Sequence, residues 1–471
     1  MKSKYIQNIK GKIIRGILLM IVAGYLVTFD VNCRKFVEVS PPNSSLIANT
    51  VYTNDTKAIG TVVSIYSDIS GSSFAPGGEQ SFAIVASLSA DEFTDYSLNS
   101  PKTEFYTNVI STTNTTNLVL WRSAYQYIYR TNAVLEGLSN TIAVSDATKK
   151  LLQGEARFMR AFLHFYLVNL WGDVPYITST EYRINAVASR APKATVYQGI
   201  IGDLQDAQNL LPNDYVTTER VRPNKWVAKA LLARVYLYMQ DWVNAETVAT
   251  EIINNSSMYT LENDLANVFL KSSSEAIWQL IPVLPDYNSS EGFNYILTAA
   301  PFNVALSNQL VNAFETGDLR KDNWIGSYTI GAQTYNFPNK YKIKTSSDIT
   351  EYSTIFRLAE LYLIRAEARA QQNKLTGINS AAEDINAIRN RANLLSTSAT
   401  TQVQILAAIE QERKVELFTE WGHRWLDLKR TNRANSVLGS AKANWQVTDV
   451  LYPIPQLEIL NDRNLTQNSG Y

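Results

Sequence analysis

The chain is poor in the residues from which most metal and redox chemistry is built. Its 471 residues hold one cysteine, Cys33, and two histidines, His164 and His423. A single cysteine cannot close an intrachain disulfide. Two histidines and one cysteine cannot assemble a zinc or iron site of the usual kind. A Gly-x-Ser-x-Gly nucleophile elbow is also missing, so neither histidine has such a motif to serve. His164 reads as a packed or partly exposed helix residue and His423 as a residue at a helix junction. Excess charge is lacking too. The whole chain is neutral, and without residues 1–32 it carries 38 basic against 42 acidic side chains, which gives no electrostatic reason to bind nucleic acid. What remains is ordinary globular composition, 45% hydrophobic and 18% charged, in a chain long enough for one large domain or two smaller ones. Aromatics are plentiful, with 26 tyrosines and 9 tryptophans.

The N-terminus reads as a leader. Residues 2–15 are basic, and Ile17–Val27 is an apolar run too short for a membrane span but right for the hydrophobic part of a secretory signal. Cys33 follows, then the polar, Pro-rich stretch Ser40–Ser45. This pattern predicts a lipoprotein signal at 1–32 and acylation of Cys33, although Asp30-Val31-Asn32 departs from the usual small-residue box before such a cysteine. Stable anchoring takes more than one acyl chain.

The middle of the chain has helical periodicity. Leu152, Ala156, Met159, Leu163, Leu167 and Leu170 form one apolar stripe, which Gly172 and Pro175 end. Val227–Met239 and Val243–Ile253 are predicted helices around a turn at Gln240-Asp241. Ala233, Tyr236 and Ala245 sit at the small-aromatic-small spacing of a tetratricopeptide unit. A second pair is predicted at Phe356–Gln371 and Ala381–Arg391, and further pairs at 118–138 with 149–171 and 194–211 with 223–239. The repeat is degenerate, which predicts packed helix pairs and not a clean solenoid. The fold class is mostly α. The organisation predicted is a single domain over 33–471, with a helical scaffold at about 110–260 and 355–431 and loop-rich, ligand-facing regions at about 60–110 and 260–350.

Several motifs together resemble the SusD/RagB family of nutrient-uptake outer-membrane lipoproteins of the Bacteroidota. They are Glu410–Thr431 (EQERKVELFTEWGHRWLDLKRT), Leu451–Glu458 (LYPIPQLE), Leu465–Tyr471 (LTQNSGY), Glu155–Pro175 (EARFMRAFLHFYLVNLWGDVP), Phe356–Ala368 and Ile385–Ala392. Ser469 stands where the family has proline, Trp421 is an extra residue before Gly422, and the chain is short for the family. The resemblance implies a tetratricopeptide-like helical scaffold. It also implies a surface-exposed capture protein for nutrient oligomers, usually glycans and in some relatives peptides, capping a SusC-like TonB-dependent transporter in the outer membrane. No catalysis or cofactor is implied.

The charged run Glu412, Arg413, Glu416, Glu420, Arg424 and Asp427 puts opposite charges three and four residues apart. A surface glycosidase would use two such carboxylates as an acid/base pair. The density of arginine favours an ion-pair network fastening helices instead, and Glu155, Arg157 and Arg160 are read in the same way. For a sugar-binding surface, exposed rings must stand beside polar side chains on loops. Trp324 is the first candidate, followed by Tyr96 and Tyr295, then Asn99, Tyr287 and Phe93, with Asn288, Phe293 and Tyr328 nearby. Trp121, Tyr125, Phe162, Trp171, Tyr236 and Trp242 are assigned to the core.

Overall fold

The computed structural model describes residues 51–471 except 72, 73, 75–77, 79 and 99. The predicted leader and Cys33 lie outside the described residues, and so does Asn99. Tyr52–Tyr471 forms one unit.

Helices dominate, with eighteen α-helices against six short strands among the described residues. The principal helices are α1 (Asp55–Ser70), α2 (Phe82–Ser89), α3 (Thr115–Ser139), α4 (Asp146–Trp171), α5 (Lys193–Leu210), α6 (Lys225–Tyr238), α7 (Trp242–Ile253), α8 (Leu358–Gln371), α9 (Ala381–Arg391), α10 (Gln402–Glu416) and α11 (His423–Arg430). Their ends follow local chemistry. Asn114, Ser145 and Asn224 accept hydrogen bonds from first-turn amides of α3, α4 and α6, and Thr401 with Gln404 closes a capping box on α10. Gly172, at φ 77°, ends α4 where the sequence predicted.

From Phe158 to Trp171 every residue of α4 is buried, so the helix runs through the core and not along the surface. α4 packs between α3 and α5. α5 then meets α6, α6 meets α7, α7 meets α8, and α8 meets α9 and α10. The predicted pairs are therefore consecutive antiparallel helices of one frame. Close approach rests on small residues: Ala366 and Ala370 of α8 meet Ala381 and Ile385 of α9, with Ile405 and Ile409 of α10 completing the cluster. Gln240, at φ 61°, makes the tight turn between α6 and α7.

Three two-stranded antiparallel sheets lie on this frame: β1 (Phe93–Asp95) with β3 (Val304–Leu306), β2 (Ala276–Leu280) with β6 (Ser353–Arg357), and the hairpin β4 (Ile325–Ile330) with β5 (Gln333–Pro338). Two boundaries differ from expectation. Phe356 and Arg357 belong to β6, because Phe356 pairs with Trp278 across the sheet before α8 begins. Residues 60–70, expected as loop, lie in α1, where Val62, Ile65, Tyr66 and Ile69 form a buried stripe.

The C-terminal hallmark makes the sharpest turn of the chain. Thr419, Trp421 and Gly422 all have positive φ, at 56°, 42° and 69°. A Cβ on Gly422 would lie 2.8 Å from Phe82 Cζ and 2.9 Å from Ala86 Cβ, so glycine is needed there for contact as well as for backbone freedom. Trp421 packs on Phe162 and Tyr166 of α4.

Candidate functional site

Trp324, the first sequence candidate, is not on the surface. It ends the short helix Leu319–Trp324, is fully buried, and donates its indole N–H to the Leu265 carbonyl at 3.0 Å. Phe269 meets its edge, and the Lys340 ammonium lies 5.0 Å from its ring centre. Burial of both faces leaves no platform for a ligand, so Trp324 is a core residue. Phe93 and Tyr295 require the same correction. They are 2% and 3% exposed and pack on each other at 5.4 Å between centroids. Phe93 is drawn inward by the β1–β3 pairing, in which it faces Leu306. Asn288 is also buried, and its side-chain oxygen accepts from the Thr350 and Glu351 amides.

Tyr96 and Tyr287 are different. Tyr96 follows β1, and its amide donates to Asn303 at 2.8 Å. It is half-buried, and its ring meets Tyr335 of β5 edge-to-face at 5.5 Å and 84°. Partial burial, with smaller contributions from the Tyr335 and Tyr106 phenols, raises the Tyr96 hydroxyl above its ordinary pKa. Asp95 beneath them is occupied: it accepts from the Ser97 amide at 2.9 Å and from the Thr103 hydroxyl at 2.6 Å. Tyr328, half-buried, faces Tyr335 across the hairpin, and Phe302 beside Asn303 is 72% exposed. Tyr287 stacks on Phe293 at 4.0 Å and 26°. Lys344 sits over Phe293 and donates to the Phe293 and Ile296 carbonyls at 2.7 and 2.8 Å. The buried Phe93–Tyr295 contact joins β1 to the helix Ser290–Tyr295 that carries Phe293.

The sequence reading missed Tyr106, Tyr335 and Phe302. Tyr335 could have been found from the hairpin: Gly331 between the polar strands Ile325–Ile330 and Gln333–Pro338 marks a turn, and alternation puts Tyr328 and Tyr335 on one face. Of the aromatics assigned to the core, Trp121, Phe162, Trp171 and Tyr236 are buried, while Tyr125 is partly covered and Trp242 half-buried.

The carboxylates of the hallmark run are spent on arginines. Glu416 is fully buried and accepts from Arg357 at 2.7 Å, from Arg320 at 3.0 Å and from Arg391. Glu412 takes Arg320 and Arg389, Glu420 takes Arg357 and Lys340, Asp427 takes Arg413 and Arg430, and Arg424 reaches back to Asp91. Burial would raise the Glu416 carboxyl, but Arg391, Arg357 and Arg320 outweigh it and hold it well below the usual range. Glu155 pairs with Arg222 at 2.5 Å, and Arg160 with Asp203 at 2.6 Å. His164 is buried, with its Nδ1 3.0 Å from the Arg160 carbonyl, and burial pushes its pKa down to about 3. Two other carboxyls, Glu92 and Glu291, are pushed up to about 7 by burial, and both are sealed from solvent.

The helical-repeat frame thus carries half-buried tyrosines at its surface: Tyr96 just after β1, Tyr106 on the short helix Pro101–Thr107, and Tyr328 and Tyr335 on the β4–β5 hairpin. Residues 35–237 match a family model described as starch-binding associating with outer membrane, and residues 303–471 match the SusD family model. SusD-like protein P2 of Formosa agariphila is 30% identical over 413 residues, covering 74% of this chain and 80% of that protein. Among solved structures, a SusD superfamily protein from Bacteroides vulgatus superposes with a TM-score of 0.78 at 20% identity, covering 90% of this chain and all of that one. A laminarin-binding SusD-like protein superposes with a TM-score of 0.74 at 25% identity, covering 89% of this chain and all of that one. This chain belongs to the SusD family.

Proposed function

We propose that this protein captures glycan oligomers at the cell surface without turning them over. In this reading it is anchored in the outer membrane through acylated Cys33, faces the exterior, and works with a SusC-like TonB-dependent transporter. The observation that carries the binding reading is the half-exposed group Tyr96, Tyr106 and Tyr335, with Phe302 beside it. Flat ring faces pack against sugar C–H groups, and phenol hydroxyls exchange hydrogen bonds with sugar hydroxyls. The description of the N-terminal family model and the laminarin-binding neighbour support the same ligand class. The non-catalytic reading is supported by the hallmark carboxylates, each engaged by an arginine or lysine.

Affinity electrophoresis of the purified protein in gels containing laminarin or amylopectin tests this. Retardation is expected with one of them, with no soluble sugar released on long incubation. Tyr96→Ala and Tyr335→Ala should each weaken binding by about 1–3 kcal/mol, roughly five- to 150-fold. Migration unchanged by both polysaccharides, with binding of peptides instead, would replace the glycan reading; released sugar would make the protein an enzyme. Cys33→Ala should move the protein from the membrane fraction to the soluble one.

A further inference from the structure

A cavity of about 500 Å³ opens among α6, α7, α8, α10 and α11, and none of the predicted sugar-site residues lines it. Its size is that of a small-molecule site. One wall is apolar, made by Trp242, Val403, Leu406 and Ile409. The polar part centres on Arg413. This arginine is 4% exposed and donates its Nε–H to Asp427 Oδ2 at 2.7 Å, but its Nη1 and Nη2 are buried with no partner in the protein. The Tyr238 hydroxyl, also on this cavity, is buried and unpartnered too.

The acids nearby are committed elsewhere. The second oxygen of Asp427 accepts from Arg430 Nε at 2.7 Å, and Glu367 takes both terminal nitrogens of Arg430 at 2.5 and 2.7 Å. Glu410 lies 3.4 Å from Arg424 and 3.7 Å from Arg433. Of the five cations lining the cavity, Lys414 and Arg424 also pair with Asp91, and among the described residues the guanidinium there whose two terminal nitrogens are both buried without a partner is that of Arg413. Two parallel N–H donors in a planar fork match the two oxygens of a carboxylate. Buried charged donors without an acceptor are costly, so the fork calls for an anion.

We propose that this cavity binds a small organic carboxylate, its two oxygens held by Nη1 and Nη2 of Arg413 and its apolar body against Trp242, Leu406 and Val403. The Tyr238 hydroxyl supplies a third donor.

The probe is 4-phenylbutyrate, titrated into the intact protein by calorimetry and by tryptophan fluorescence. Its uncharged amide and inorganic phosphate serve as comparisons. Saturable 1:1 binding at least tenfold tighter than either comparison is expected. Arg413→Lys keeps the charge and removes the fork, and should cost at least tenfold. Ala407→Glu leaves the Arg413–Asp427 pair intact and places a carboxylate on an exposed position of the cavity wall, so it should cost as much; it decides the matter if Arg413→Lys fails to fold. Binding no tighter than the amide, binding matched by phosphate, or binding unchanged in folded Ala407→Glu would each overturn the assignment.

Discussion

Glu416→Ala measures how far the buried ion pairs hold the frame to the loops. Glu416 ends α10 and touches arginines from three other elements: Arg357 of β6, Arg391 of α9 and Arg320 of the short helix Leu319–Trp324. Removing one partner of a buried pair costs about 3–5 kcal/mol, because a charge is left without compensation. Here each arginine keeps another carboxylate: Arg320 keeps Asp318 and Glu412, Arg357 keeps Glu275 and Glu420, and Arg391 keeps Glu275. The cost therefore falls at the lower end, about 3 kcal/mol. For a unit of roughly 420 residues, an unfolding entropy of about 2.1 cal/mol/K per residue converts this to a fall of about 3–4 °C in Tm. The control is Asp68→Ala. Its pair with Arg130 is as short, at 2.6 Å, but the aspartate is half in water, so the expected loss is under about 1 kcal/mol and about 1 °C. Differential scanning calorimetry of both variants at pH 7 compares them directly. Equal shifts in the two would refute the argument that burial and not proximity makes Glu416 important. Because the Glu416 carboxyl is held below its ordinary range, its contribution is complete above pH 4.5 and lost only as pH falls through the depressed value, so the difference from wild type should be flat from pH 5 to 8.

Trp324→Ala should lower stability by about 3–5 kcal/mol in urea titrations while leaving glycan affinity of the folded fraction intact, since the ring is packed on Phe269 and covered. Glu92 is protonated in the fold up to about pH 7 but released from about pH 4.5 in the unfolded chain, so its contribution falls as pH rises through that window. Glu92→Gln removes the slope; the variant should gain on wild type by about 3 kcal/mol between pH 4.5 and 7.5, and parallel stability curves would contradict this. Gly422→Ala meets both a left-handed backbone and the Phe82 ring, and should lower Tm by several degrees, read by circular dichroism.

The helices were legible from local patterning. Stripes at three- and four-residue spacing, the Gly172 stop and the Gln240-Asp241 turn are properties of neighbouring residues, and the structure realises them within a few residues. Density of arginine beside glutamate was likewise enough to recognise an ion-pair network. Its partners were not readable, because Glu416 meets Arg320 and Arg357, and Arg424 meets Asp91, far away in the chain.

The surface was the least legible part. Trp324 and Tyr96 both lie in stretches of weak periodicity rich in Ser, Asn and Gly, and composition cannot separate them. Trp324 is buried because Leu265 supplies its hydrogen-bond acceptor and Phe269 its packing partner; Tyr96 stays half-open because β1 pairs with β3 and leaves it against Tyr335 of the hairpin. The Arg413 fork shows the same limit, since only the meeting of five helices decides that its Nε finds Asp427 while Nη1 and Nη2 find nothing. Local sequence thus determined the helices, their caps and the charge pattern, because those depend on contacts within a few residues. Which rings are covered and which donors lack partners was decided by tertiary structure alone, because burial is a sum over residues distant in the chain.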